Sequence, residues 1–261
     1  MLRNKEIGFC IFLDFAKAFD TVNHDILLKK LEYYGIRGVA LKLFKSYLAD
    51  RMQCTEIGDQ QSSLKYIKCG VPQGSILGPL LFLLYINDII ASSNVLKFTL
   101  FADDTSLYYS HKNKSEAYQV LNIELAKISD WLAANKLSLN VSKSKLLVFH
   151  NQRKIKNKTN NSVEGSDDDV NEDDVNEEGD NELKLLLNGE VLEEVQYAKY
   201  LGILIDNKLN WNQQINAIKL KLSKGVGLLA KIRHFVPSSV VRSLYFSIIS
   251  TCYQNPFNYN I

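Results

Sequence analysis

The chain has 261 residues, 46% of them hydrophobic, with 31 Lys plus Arg against 29 Asp plus Glu and a formal net charge of +2. That is enough apolar material for one large or two small packed domains, and the four dispersed cysteines (Cys10, Cys54, Cys69, Cys252) form no CxxC pair or zinc-type cluster, so they read as reduced thiols. The near-zero charge hides a segregation: eleven acids and no base lie between Glu164 and Glu182, leaving 18 acids against 31 bases, a +13 body, elsewhere. A basic body favours polyanionic partners. The most apolar run, Ile76 to Ile86, is interrupted by Gly78-Pro79 and is too short for the roughly 20 residues that span a bilayer. The N-terminus does not read as a signal peptide, so neither a membrane nor a secretory location is expected.

In chain order, Ile7 to Leu13 is a short apolar run typical of a buried strand, and it delivers Asp14 at its end. A helix is predicted from Asn23 or His24, stopped by Gly35, and a second from Val39 to Leu48. Gln53 to Ile57 and Leu64 to Lys68 read as two strands joined by a six-residue polar turn. Pro79 to Ile90 is apolar nearly all round, as in a buried helix. Leu96 to Phe101 and Thr105 to Tyr109 are strand-like and flank Ala102-Asp103-Asp104, a tight hairpin. A long amphipathic helix follows from about Ser115 to Asn135, then a strand from Lys145 to His150.

From Asn151 to Glu182 the chain loses globular character, with no aromatic residue and an acidic repeat, and disorder is expected for about 152–182. Asn188-Gly189 marks a hairpin between Leu183 to Leu187 and Val191 to Val195, and Tyr200 to Ile205 reads as a further strand. Leu209 to Val236 and Ser238 to Ser250 are predicted helical.

Chemistry concentrates at three carboxylates on strand ends or turns: Asp14, Asp103 and Asp104. Adjacent like charges raise one another's pKa, and a divalent cation relieves that cost. Hard oxygen ligands suit Mg²⁺ held by one or two carboxylates together with substrate phosphates. Taken alone, an Asp-Asp pair is equally a solvated turn and Asp14 a helix cap.

The surrounding words narrow the choice. Phe12-Leu-Asp14-Phe-Ala-Lys-Ala-Phe19-Asp-Thr-Val-Asn-His24 resembles motif A of reverse transcriptases, and the Gly70 to Phe82 segment (GVPQGSILGPLLF) resembles motif B. Phe101-Ala-Asp103-Asp104 is similar to motif C, Leu139 to Ser144 to motif D and Tyr200-Leu201-Gly202 to motif E, in family order. The wording is that of non-LTR, LINE-type retrotransposons. The resemblance implies an α+β polymerase palm, an antiparallel sheet backed by helices, over residues 1–211, and the start of a helical thumb over 212–261, with the fingers largely absent. It implies that Asp14 and Asp103 hold two Mg²⁺ ions, with Mn²⁺ as a substitute, and that Asp104 completes the acidic cluster. The implied reaction is RNA-directed DNA synthesis: a DNA primer 3′-oxygen attacks a deoxynucleoside triphosphate on an RNA template.

By the same resemblance Phe19 lies under the sugar, Gln73 and Gly74 beside the nucleotide, and Lys143 near the leaving pyrophosphate. Tyr200, Leu201 and Gly202 belong to a primer-holding hairpin, and the helix bases, Lys219 and Lys224 among them, follow the duplex backbone. Plainer readings stand beside these: core packing for Phe19 and Leu201, an ordinary turn for Gln73-Gly74, and solvated lysines. Lys145 rivals Lys143. Because the chain begins close to motif A and carries an acidic insert, a non-catalytic remnant binding nucleic acid or a protein is the alternative. Removing residues 164–182 should strengthen nucleic-acid binding at low salt. A nuclear location follows from the retrotransposon resemblance alone.

Overall fold

The computed structural model describes residues 6–149 and 183–250; the acidic segment, Cys252 and both chain ends lie outside the described residues. The elements run β1 (Ile7–Leu13), α1 (His24–Tyr33), α2 (Gly38–Leu48), β2 (Met52–Gln53), β3 (Glu56–Ile57), β4 (Gln60–Gln61), β5 (Lys65–Tyr66) and α3 (Leu77–Ile86). A 3₁₀ turn (Asn87–Ser92) precedes β6 (Lys97–Phe101), β7 (Asp104–His111), α4 (Lys114–Ala134) and β8 (Lys145–Phe149). After the acidic segment come β9 (Leu186–Leu187), β10 (Glu190–Val191), β11 (Glu193–Val195), β12 (Tyr197–Tyr200), β13 (Ile203–Asp206), α5 (Asn212–Ile232), α6 (Ser238–Leu244) and a π-helical turn (Tyr245–Ser250).

The main sheet has the order β11-β8-β1-β7-β6 and is antiparallel throughout except for the β11–β8 pair. The apolar run of β1 makes it the central strand, paired from Ile7↔His111 to Leu13↔Thr105 on one side and with β8 on the other. Alternation then sorts its side chains: Phe9, Ile11 and Leu13 are buried, while Cys10 and Phe12 face the other side and are half-buried. The buried face is covered by helices; Phe9 meets Tyr118 of α4 edge-on at 5.8 Å. α3 buries Leu81, Phe82, Tyr85 and Ile86 completely but leaves Leu80 and Leu83 exposed, so the helix expected to be buried is enclosed on one side only. Both α1 and α4 start on asparagine caps, Asn23 Oδ1 accepting from the Ile26 N–H and Asn113 Oδ1 from Ser115 and Glu116. The result is an α+β arrangement, a mostly antiparallel sheet backed by helices, as the resemblance implied. No helix among the described residues is long and apolar enough to cross a membrane.

Lys30 ties the helical layer together. Its ammonium donates to the Tyr85 carbonyl at 2.7 Å and to Asp88 at 2.6 Å, and it stands over the Tyr85 and Trp131 rings. Burial lowers its pKa, and Asp88 opposes that shift.

Three further expectations need correction. Tyr200 to Ile205 is not one strand: Tyr200 ends β12 and pairs with Ile203, the first residue of β13, across a Leu201-Gly202 turn with positive φ at both residues (47° and 82°). A two-residue hairpin turn requires that left-handed backbone, and leucine rarely advertises it. Val191 to Val195 breaks at the buried Leu192, so β10 closes the Asn188-Gly189 hairpin while β11 leaves to join β8 in parallel. The 53–68 segment turns at Gly58-Asp59, so that Gln60-Gln61 pairs back on Glu56-Ile57 and the expected six-residue turn does not form.

Candidate active site

Asp14 follows the last β1 pair, Leu13↔Thr105, and Asp104 precedes it on β7, so the two aspartates occupy corresponding positions at adjacent strand ends. Asp104 is also the first residue of β7 paired with β6, opposite Phe101, leaving Ala102-Asp103 as a two-residue turn. Ala102 takes φ +52°, a left-handed conformation that costs about 1 kcal/mol in an L-residue. That turn sets the two neighbouring carboxylates on one strand end beside Asp14.

The backbone around Asp14 is held by the turn before β8. Its N–H donates to Ser144 Oγ at 3.1 Å, and its carbonyl accepts from the Asn140 N–H at 2.8 Å. Ser144 is fully buried and its hydroxyl donates to the Asn140 carbonyl. Lys143 projects from this same turn. A small pocket of about 90 Å³ is lined by Phe12, Leu13, Asp14, Asp104, Thr105, Lys143, Lys199 and Tyr200. Partial burial, and then the charges of Asp103 and Asp14, push the Asp104 carboxyl above the ordinary carboxylate range.

The surroundings of the two candidate lysines differ. Lys145 donates to the Ser142 carbonyl and pairs with Glu193 of β11, so its charge is matched within the fold. Lys143 lines the carboxylate pocket and makes no ion pair among the described residues. Lys199 joins it there, which sequence reading missed; its place beside Tyr200 on a hairpin strand was the available signal.

Phe19 packs against Phe82 of α3 with ring centroids 4.9 Å apart, half-buried at the edge of the core. Gln73 and Gly74 form the exposed turn before α3, Gly74 at φ +79°. The motif A and motif B segments are joined by backbone bonds, Val71 N–H to the Phe19 carbonyl at 2.8 Å and Gly70 N–H to the Val22 carbonyl at 2.7 Å. Here glycine is required: Gly70 has φ +91°, and a Cβ would lie 2.7 Å from the Asp20 carbonyl oxygen. Beside this junction lies a cleft of about 680 Å³ whose lining includes Lys17, Asp20, Arg51, Lys68 and Gln73. The Tyr200 ring packs at a tilt against Phe12 with centroids 5.2 Å apart, bringing the Leu201-Gly202 turn to that sheet face. Lys219 and Lys224 sit exposed on α5, outside the residues that line the carboxylate pocket.

No three His, Cys, Asp or Glu side chains among the described residues gather to hold a metal ion by themselves. The donor set that does face one pocket is Asp14 with Asp104, two hard carboxylates in mutual repulsion, which suits a cation whose coordination phosphate oxygens complete.

Residues 1–205 match the family model described as "Reverse transcriptase (RNA-dependent DNA polymerase)". Among curated proteins the chain is 29% identical over 227 residues to the probable RNA-directed DNA polymerase from transposon BS of Drosophila melanogaster, covering 82% of this chain and 22% of that protein. It is 28% identical over 262 residues to the RNA-directed DNA polymerase from mobile element jockey of the same fly, covering 96% and 26%. The chain thus spans about a quarter of the length of these relatives. Among solved structures, telomerase from Candida tropicalis in complex with a fragment of telomeric RNA aligns with 97% of the chain and 39% of its own, at a TM-score of 0.49 and 12% identity. On the family match over most of its length, the chain belongs to the reverse transcriptase family, with relatives among the non-LTR retrotransposons.

Proposed function

We propose that this chain is the palm of an RNA-directed DNA polymerase that extends a DNA primer on an RNA template with deoxynucleoside triphosphates. The observation that carries the reading is the register match of Asp14 and Asp104 at adjacent strand ends, with Asp103 beside them. In the reaction the primer 3′-oxygen attacks the α-phosphorus, a new P–O bond forms, the bond to the bridging oxygen breaks and pyrophosphate leaves. Asp14 and Asp104, with Asp103 adjacent, would hold two Mg²⁺ ions, which supply charge neutralisation and a more nucleophilic primer oxygen when bound. Lys143, which lines the carboxylate pocket, offsets charge on the leaving pyrophosphate in this reading. Phe19 supports the sugar, and its bulk against Phe82 opposes a 2′-hydroxyl. The Tyr200-Leu201-Gly202 turn holds the primer end, and Lys219, Lys224 and the other α5 bases follow the duplex backbone.

A binding role without catalysis is the second reading, favoured by the small size of the carboxylate pocket, about 90 Å³. Primer extension on an RNA template with Mg²⁺ separates the two. Wild-type extension that Asp14→Asn abolishes supports polymerase chemistry; extension unaffected by that substitution removes the carboxylate site. Template binding with no extension by the wild type selects the second reading.

A further inference from the structure

We infer that Asp20 is a positioning residue that sets the orientation of the Gln73 amide towards the incoming nucleotide, an inference that rests on the proposed nucleotide role of Gln73. Gln73 Nε2 donates to Asp20 Oδ1 at 2.9 Å across 53 residues of sequence. A glutamine amide has two chemically different ends, and either could face the cleft. A carboxylate only accepts, so it selects the NH₂ end and leaves Oε1 as the group free to meet substrate. Gln73 therefore presents Oε1 as its acceptor, suited to an O–H or N–H donor of the nucleotide, while one of its two amide N–H donors is taken up by Asp20. Specificity built on a fixed acceptor rejects groups that lack the matching donor.

The backbone explains why this pair forms. Phe19 and Val22 carbonyls accept the Val71 and Gly70 N–H groups, and His24 Nε2 lies 2.7 Å from the Gly70 carbonyl, donating in its Nε2–H tautomer. The Cβ-free Gly70 lets the Asp20 backbone pass at contact distance. Asp20 and Gln73 are thus held on two sides of one rigid junction, and both line the 680 Å³ cleft. Phe19, the neighbour of Asp20, is anchored against Phe82, so the residue beneath the sugar and the residue that orients Gln73 share one short segment.

The test uses the full chain on an RNA template annealed to a dideoxy-terminated DNA primer, with Mg²⁺, so that affinity for the next complementary deoxynucleotide is read without turnover. Asp20→Ala and Gln73→Ala are each expected to weaken that affinity by on the order of tenfold. The double variant should be no weaker than Gln73→Ala alone, since Asp20 acts only through Gln73. Gln73→Glu places two carboxylates together and should weaken binding, and Asp20→Asn in that background should restore most of it. In this swapped pair the new amide at position 20 donates to one oxygen of the new carboxylate at position 73 and leaves the other oxygen as the acceptor. This rescue also decides the matter if Asp20→Ala fails to fold. Additive losses, no rescue, or Asp20→Ala within twofold of wild type while Gln73→Ala weakens binding would overturn the inference and leave the polymerase reading intact. A Gln73→Ala chain with unchanged affinity removes the nucleotide role of Gln73 and the inference with it. A wild type that forms no nucleotide complex removes the polymerase reading as well.

Discussion

Ser106 donates its hydroxyl proton to the Tyr200 hydroxyl across 3.3 Å, joining β7, two residues past Asp104, to the tip of the β12–β13 hairpin 94 residues later. Together with the Phe12–Tyr200 ring contact at 5.2 Å, this fastens the hairpin to the strand end that carries the carboxylates. Tyr200→Phe removes only the hydrogen bond and should cost about 1 kcal/mol of stability. Tyr200→Ala removes the ring pair too and should cost about 2–3 kcal/mol. Urea denaturation measures both. Primer–template affinity should fall only for the alanine variant; an equal fall in both would assign the hydroxyl a direct substrate contact.

Two glycines of one motif should behave differently. Gly70→Ala drives a Cβ to 2.7 Å from the Asp20 carbonyl oxygen at φ +91°, so a loss of about 2–4 kcal/mol is expected. Gly74, at φ +79°, has open space where a Cβ would lie, with nothing within 4 Å, and its alanine variant should lose only about 1 kcal/mol of backbone strain. Comparable denaturation midpoints for the two variants would show that the motif A–motif B junction yields readily.

Lys143→Ala should lower the maximal extension rate by about 10- to 100-fold with little change in folding stability, because its ammonium offsets charge only during reaction. Lys145→Ala should do the reverse, since it breaks the pairing with Ser142 and Glu193 and its own side chain does not line the pocket. Single-turnover extension and thermal melts on both variants make the comparison.

Burial pushes the Cys10 thiol up to about 12 from an ordinary 9.0, while Cys54 and Cys69 are exposed. At pH 8 about one Cys10 thiol in ten thousand is then ionised, so alkylation in a Cys252→Ser chain should reach Cys54 and Cys69 first and Cys10 only on unfolding. The folded chain holds this proton more tightly than the unfolded one. Its contribution to stability is therefore full below pH 9.0 and is lost as pH rises towards about 12. Cys10 labelling at the rate of Cys54 in native buffer would contradict the burial.

Features written in a few adjacent residues were legible. The β1 run, the start of α1 at Asn23 or His24, the long α4, the apolar composition of α3 and the hairpin around Ala102-Asp103-Asp104 all follow from local pattern. The carboxylates and their order along the chain were equally readable. The β12–β13 turn was not, because Leu201 occupies a left-handed position that its side chain does not advertise. Nor was the β10–β11 break, since only a parallel place beside β8 explains it. The contest between Lys143 and Lys145 turned on Glu193, 48 residues beyond Lys145.

By itself the sequence determined that this chain is basic outside one acidic segment, that it carries three carboxylates on strand ends and turns, and that its motif order is that of a reverse transcriptase. Those properties depend on composition, short-range backbone preference and spacing, which the chain carries whether folded or not. Only the tertiary structure decided that Asp14 and Asp104 share a register, that Lys199 and Tyr200 close on their pocket, and that Asp20 meets Gln73. These are contacts between segments 53 or more residues apart, made by strand pairing and supported by the backbone bonds at Gly70 and the Ser144 hydroxyl. Such contacts depend on which surfaces bury together, and no local pattern encodes that choice.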